Sequence, residues 1–234
     1  PVEVRATDRK GDAVTQIWTT AGADPFTNIQ TARGWSVSQL NDFIGDWATH
    51  NVVWDYKATP GAFRSSYGNI TLTDKAERMR RLMPLEALDG NWATNRRFAS
   101  PFYGAPQRFG YNVVRLYPVS GATTVTVKFR GVNQAGSDAD FRWALVAANP
   151  QFTSARRSEL QKGLSADLTF AVNPGEPLFL VVAATPSVFK TIVWATDGSE
   201  VADRALPILT GLARAHRAKI VAGANMAELA RELS

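Results

Sequence analysis

The spacing of apolar residues changes along the chain. From Ser36 onward, Val37, Leu40, Phe43, Ile44, Trp47 and Ala48 recur at intervals of three and four. That is one face of a helix, which should end near His50. Ser36 or Ser38 can supply its N-cap oxygen. Trp54 and Tyr56 continue the apolar character, and Pro60-Gly61 stops it. A second, short helix is expected around Lys75–Arg81. Residues 1–34 carry little periodicity: VEVRA at Val2–Ala6 suits a short strand, and Gly22, Asp24 and Pro25 mark loop.

After Pro84 the pattern becomes that of strands. Tyr111–Tyr117 (YNVVRLY) is β-branched and aromatic, and Pro118–Gly121 follows it as a turn. In Thr123–Arg130 (TTVTVKFR), Val125, Val127 and Phe129 alternate with Thr124, Thr126, Lys128 and Arg130. This alternation describes a half-buried strand. Phe141–Ala148, Asp167–Val172 and Leu178–Ala184 are further strands, with Asn173-Pro174-Gly175-Glu176 expected as a hairpin turn between the last two. Short strands at this spacing imply an antiparallel sandwich or jelly roll.

From Lys190 the pattern changes again. Thr191–Thr196 reads as a buried strand, Asp197-Gly198-Ser199 as a turn and helix cap, Val201–Arg217 as an amphipathic helix, and Lys219–Ala222 as a second strand. A β-α-β unit normally lies in a parallel sheet. The fold class is therefore α+β, in three parts. Residues 1–83 form a helical segment, 84–188 an antiparallel β-sandwich, and 189–234 a C-terminal β-α-β appendage.

Composition narrows the classes. At 234 residues and 45% apolar content, the chain can bury a real core. Lys and Arg number 26 against 21 Asp and Glu, a net charge of +5. The charge is scattered, which argues against nucleic acid as a partner. Its densest patch is Lys75, Arg78, Arg80 and Arg81, with Arg96 and Arg97 nearby, and it reads as a solvated face. The absence of Cys excludes disulfides, zinc knuckles and thiol nucleophiles. No apolar run approaches the roughly 20 residues of a membrane span. The opening PVEVRATDRKGD has no initiator Met and no apolar signal core, as expected of a mature product or a fragment.

Few residues offer chemistry. The two His, His50 and His216, lie in different segments, and HExxH is absent. His50 has Asp46 four residues before it on the same helix face, a spacing that could supply two metal ligands or an acid–base couple. The plainer alternative is a helix-end His beside a carboxylate. Asp42/Asp46 and Asp138/Asp140 are the candidate carboxylate pairs, and the second pair could also bind Ca²⁺. There is no G-x-S-x-G, no G-x-G-x-x-G and no Walker A sequence. Asp197, Gly198 and Ser199, at a strand-to-helix turn, could meet a ribose or phosphate. Trp92, Phe98, Phe102, Tyr103, Phe109 and Tyr111 cluster ahead of the strands. They could stack on sugar rings or peptide side chains, but the expectation is a seam between the helical segment and the sandwich.

Two stretches resemble known families. DPFTNIQ, GWSVSQLNDFIGDWATHNVVWDY, NWATNRRFASPFYGAPQRFGYNVVRLYP, VTVKFRGVNQAG, FRWALVAAN, ELQKG and LFLVVAATPSV span residues 24–194. They resemble the downstream part of the Svx/AvrXca-type secreted bacterial virulence proteins, a metallopeptidase-like family. The resemblance implies a secreted origin and places the zinc-binding HExxH helix upstream of this region. KTIVWATDGSEVADRALPILTGLARAHRAKIVA, residues 190–222, resembles the opening β-α-β of a universal stress protein. That resemblance implies that Asp197 is a nucleotide-contacting acid, although the family's later glycine-rich phosphate loop is missing.

The function expected is a non-catalytic accessory region that binds protein or polysaccharide. The alternatives are an ATP-binding module using Asp197, Gly198 and Ser199, and a residual zinc metallopeptidase using His50 and Asp46. Because both resemblances fit at Phe189–Trp194, a chimeric chain with no evolved function is a further alternative. No particular cofactor is implied.

Overall fold

The computed structural model describes residues 24–55, 82–132, 139–186, 191–195 and 219–223. These fall into two compact units. Residues 41–186 belong to one, and 24–40, 191–195 and 219–223 to the other. The division runs elsewhere than the sequence pattern suggests, because residues from Asn41 onward join the strands in one unit.

The first unit is built on a five-stranded antiparallel sheet. Strands β3 (Tyr111–Leu116), β9 (Leu178–Pro186), β5 (Ala139–Ala148) and β6 (Ala155–Arg157) follow in that spatial order, and β7 (Gln161–Lys162) also pairs with β5. The central strands β5 and β9 are buried almost throughout. Both of their faces are covered, so FRWALVAA and LFLVVAATP are near-continuous apolar runs rather than alternating ones.

On one face, Val114, Trp143, Leu145 and Leu180 form a core cluster. Val127 and Phe129 of β4 (Thr124–Arg130) and Leu168 and Phe170 of β8 (Ser165–Ala171) pack over it. β4 and β8 pair antiparallel with each other as a separate two-stranded ladder. The arrangement is α+β with a sandwich-like pair of β layers. The turn at Asn173–Glu176 forms, closed by Glu176 N–H to the Asn173 carbonyl at 3.2 Å. It does not make a hairpin, however, because β8 and β9 lie in different sheets. Each of these strands pairs with partners distant in sequence.

The other face of the sheet carries the helix predicted from Ser36. α2 (Val37–His50) buries Ile44 and Ala48, and the turn after it buries Val52 and Val53. Asn41 Nδ2 donates to the Pro186 carbonyl at 2.7 Å. Trp47 meets Tyr111 edge to face at 5.5 Å. Gly45 allows the closest approach: a Cβ there would lie 2.5 Å from Arg142 Cβ. The helix ends at His50, well before Pro60. Trp54, with φ of 52°, turns the chain back and donates its N–H to the His50 carbonyl.

In the second unit, α1 (Pro25–Arg33) occupies a stretch with little periodicity, starting at a Pro expected to mark loop. Asp24 accepts the N–H groups of Phe26 and Thr27 at 2.9 and 3.0 Å, and Gly34 closes the helix at φ 62°. At the start of α2, Ser36 and Gln39 exchange hydrogen bonds as a capping box. β10 (Thr191–Ala195) and β11 (Lys219–Gly223) pair in parallel, as a β-α-β unit requires. The expected helices at Lys75–Arg81 and Val201–Arg217, and the strand at Val2–Ala6, lie outside the described residues. Among the described residues no helix is long and apolar enough to cross a membrane.

Candidate functional site

The segment leading into β3 presents aromatic rings to solvent. β1 (Glu86–Ala87) and β2 (Phe98–Ala99) pair as a short antiparallel ladder, with the one-turn helix α3 (Trp92–Asn95) between them. After Pro101 a 3-10 turn, Phe102–Gly104, follows. Phe102 is 99% exposed, Tyr103 81%, Trp92 56% and Phe98 43%. The expected seam is therefore not what these four residues form. Their segment is made of two-residue strands and single turns, which offer no second surface to cover the rings.

The backbone beneath the rings is firmly held. Asn112 Nδ2 donates to the Gly104 carbonyl and lies 3.2 Å from Met83 Sδ. A Cβ on Gly104 would meet that sulfur at 2.5 Å, so the turn lies directly against Met83. The Met83 N–H donates to the Val113 carbonyl at 2.9 Å, tying this support to β3. On the far side, the Phe109 N–H donates to the Ala184 carbonyl at 2.7 Å while Phe109 holds a left-handed φ of 61°. Such a conformation in a bulky residue persists only where its surroundings enforce it. Between these walls lies a groove of about 420 Å³, lined by Leu82, Met83, Tyr103, Pro106, Gln107 and Asn112 among others. It combines apolar walls with a few amide groups, a common make-up of ligand sites.

The structure places His50 beside Asp46, with Nε2 3.8 Å from Oδ1. Its closer partner is Asp55, which the sequence did not single out. His50 Nδ1 lies 2.9 Å from Asp55 Oδ1 and 3.1 Å from the Asp55 carbonyl. Both are acceptors, so Nδ1 carries the proton. Arg157 NH2 contacts the same Asp55 oxygen. Burial pushes the Asp55 carboxyl up. The hydrogen bond to His50 and the charge and hydrogen bond of Arg157 outweigh that and hold it below its ordinary value. No group of three or more His, Asp or Glu is placed to hold a metal ion among the described residues.

Asp42 and Asp140, one from each proposed carboxylate pair, are both held by Arg142. Asp42 accepts from Arg142 Nε at 2.7 Å and from Lys162 at 2.6 Å. Asp140 accepts from Arg142 NH1 at 2.8 Å. Both carboxylates are engaged in ion pairs. Asp138, His216, the Lys75–Arg81 basic patch, and the nucleotide candidates Asp197, Gly198 and Ser199 lie outside the described residues.

The fold and groove define a sandwich-like α+β protein with an aromatic surface. The chain belongs to a family of unknown function (DUF6055), whose profile matches residues 4–207. That span includes Phe189–Trp194. No curated protein and no solved structure matches the chain.

Proposed function

We propose that this chain is a non-catalytic binding region that holds a protein or polysaccharide ligand across the groove beside Phe102 and Tyr103. The observation that carries this reading is the near-complete exposure of two adjacent rings next to a groove of about 420 Å³. Exposed aromatics in contact with water are unfavourable unless a ligand covers them, and they dominate recognition surfaces. The resemblance to secreted metallopeptidase-like proteins supports an extracellular setting, in which a polymer ligand is available. The sequence lacks HExxH and the nucleophile motifs, in keeping with an accessory role.

The test is a panel of immobilised polysaccharides and unfolded polypeptides, probed with the wild-type chain and with a Phe102→Ala/Tyr103→Ala double variant. Retention of the wild type and loss with the variant is the expected result. Equal retention of both chains would move the site away from the groove.

A second reading rests on the parallel pairing of β10 and β11. It supports a nucleotide-binding β-α-β unit with Asp197, Gly198 and Ser199 at the end of its first strand.

A further inference from the structure

Among the described residues, β4 is bonded on one side only. Its ladder with β8 is bracketed by two bonds, Val172 N–H to the Thr123 carbonyl and Gly131 N–H to the Leu164 carbonyl. Antiparallel ladders alternate bonded and non-bonded pairs, so Val125, Val127 and Phe129 turn their amides toward β8. The backbone groups of Thr124, Thr126, Lys128 and Arg130 point the other way. They have no hydrogen-bond partner among the described residues.

Charge is the one usual protection this edge carries, and among the described residues no element covers it. It is seven residues long, with an unbroken register and no Pro. Lys128 and Arg130 stand on the exposed face, so neither charge points into the core where it would block pairing. On the inner face, Val125, Val127 and Phe129 are only half-buried, although Phe129 already packs on Phe141 and Trp143 at 5.5 and 5.2 Å. The apolar layer is incomplete at this edge.

We infer that β4 pairs antiparallel with β4 of a second copy, about a twofold axis through Val127. The strand is complementary to itself in that register. Thr126 faces Lys128 of the second copy and Thr124 faces its Arg130, so the free backbone groups of both strands meet and no like charges are opposed. On the inner face Val125 meets Phe129 of the second copy, and Val127 meets its own equivalent. Apolar cross-strand pairs of this kind stabilise sheets. Neighbouring registers fit less well. Centring on Lys128 sets that charge against itself, and centring on Thr126 sets Phe129 against Thr123. A shift of one residue would turn the apolar face outward. The product is a four-stranded sheet, β8-β4-β4-β8, closed by twofold symmetry.

The test is sedimentation equilibrium of the full chain over a wide concentration range, with three variants. Lys128→Pro removes an outward N–H that β8 does not use, and should leave a folded monomer. Thr126→Glu sets a carboxylate opposite Lys128 of the second copy twice per dimer, and should tighten the dimer by roughly tenfold. Thr126→Lys opposes like charges at the same places and should weaken it by a similar factor. The Thr126 substitutions lie on an exposed face, so they test the register even if Lys128→Pro fails to fold. A wild-type chain that stays monomeric, or a dimer indifferent to the charge at position 126, would overturn the inference.

Discussion

Arg142 Nε donates to Asp42 Oδ1 at 2.7 Å, joining the centre of the sheet to α2 across 100 residues of sequence. Arg142 is 2% exposed and also holds Asp140, so this cation cannot be rehydrated in place. Its removal leaves Asp140, 17% exposed, without its cation, while Asp42 keeps Lys162. Arg142→Ala should therefore cost about 3–5 kcal/mol. Lys162 touches the same Asp42 from a half-exposed position, and Lys162→Ala should cost about 1 kcal/mol or less. Urea unfolding of the two variants makes the comparison. Equal losses would show that Asp42, rather than the buried guanidinium, sets the energy of the network.

Gly45 sets two effects against each other. Alanine is favoured over glycine inside a helix by roughly 1 kcal/mol. Here the added methyl would meet Arg142 Cβ at 2.5 Å, and that atom is fixed to the backbone of the central strand. Overpacking of this kind costs about 1–3 kcal/mol, and Arg142 cannot move without breaking its bonds to Asp42 and Asp140. Gly45→Ala should lower the melting temperature, and a rise would show that the helix can lift off the sheet.

These contacts mark how far the sequence could be read. β4 and β8 are legible because each buries one face and so alternates. α2 is legible because its buried stripe repeats every three to four residues. α1 is not, since none of its residues is buried and no apolar face forms. Its signal was the Asp24-Pro25 start and the Gly34 stop, a cap at each end of an otherwise unpatterned run. At the sites, Asp46 was legible at four residues from His50. Asp55 was not, because it reaches His50 only through the turn that the left-handed Trp54 makes. Arg157 arrives from 102 residues away, and nothing local announces it. The aromatic cluster was visible in sequence, but its division was not: Tyr111 packs on Trp47 of α2, while Phe102 and Tyr103 stand exposed.

Asp55 ties the end of α2 to β6, and its titration has a definite sign. Its carboxyl is held below the ordinary value in the folded chain. The stabilisation is therefore fully present above the unfolded-state value, near pH 4, and is lost as pH falls through the lower folded value. Asp55→Asn should lower stability near neutral pH by about 1–3 kcal/mol, since it removes the charged acceptor from His50 and Arg157. Below pH 4 the difference between variant and wild type should shrink. Unfolding curves from pH 7 down to about pH 3 would check this. A gap that stayed constant would mean that the asparagine fails for packing reasons.

The parallel β10–β11 pair supports a nucleotide reading that melting can decide. Mg-ATP at about 100 times its dissociation constant should add roughly 2.7 kcal/mol to a chain that binds it. Asp197→Ala should abolish that shift. With no shift in the wild type, the pair is a structural element and the search for ligands returns to the groove.

Within the groove, exposure and support can be separated by substitution. Phe102 touches almost nothing but solvent, so Phe102→Ala should change stability by no more than about 0.5 kcal/mol. Any effect on ligand retention would then report a lost contact. Gly104 acts from beneath. A methyl there would press on Met83 Sδ, the end of a flexible side chain that can swing aside. Gly104→Ala should therefore melt close to wild type yet bind less, because Met83 can move only by reshaping the wall of the groove. Calorimetric melting and retention on the same immobilised ligand make the pair of measurements. If Phe102→Ala weakens binding and Gly104→Ala does not, the ligand sits on the rings alone and the groove is incidental. If Gly104→Ala weakens binding as much as Phe102→Ala, rings and groove act as one surface.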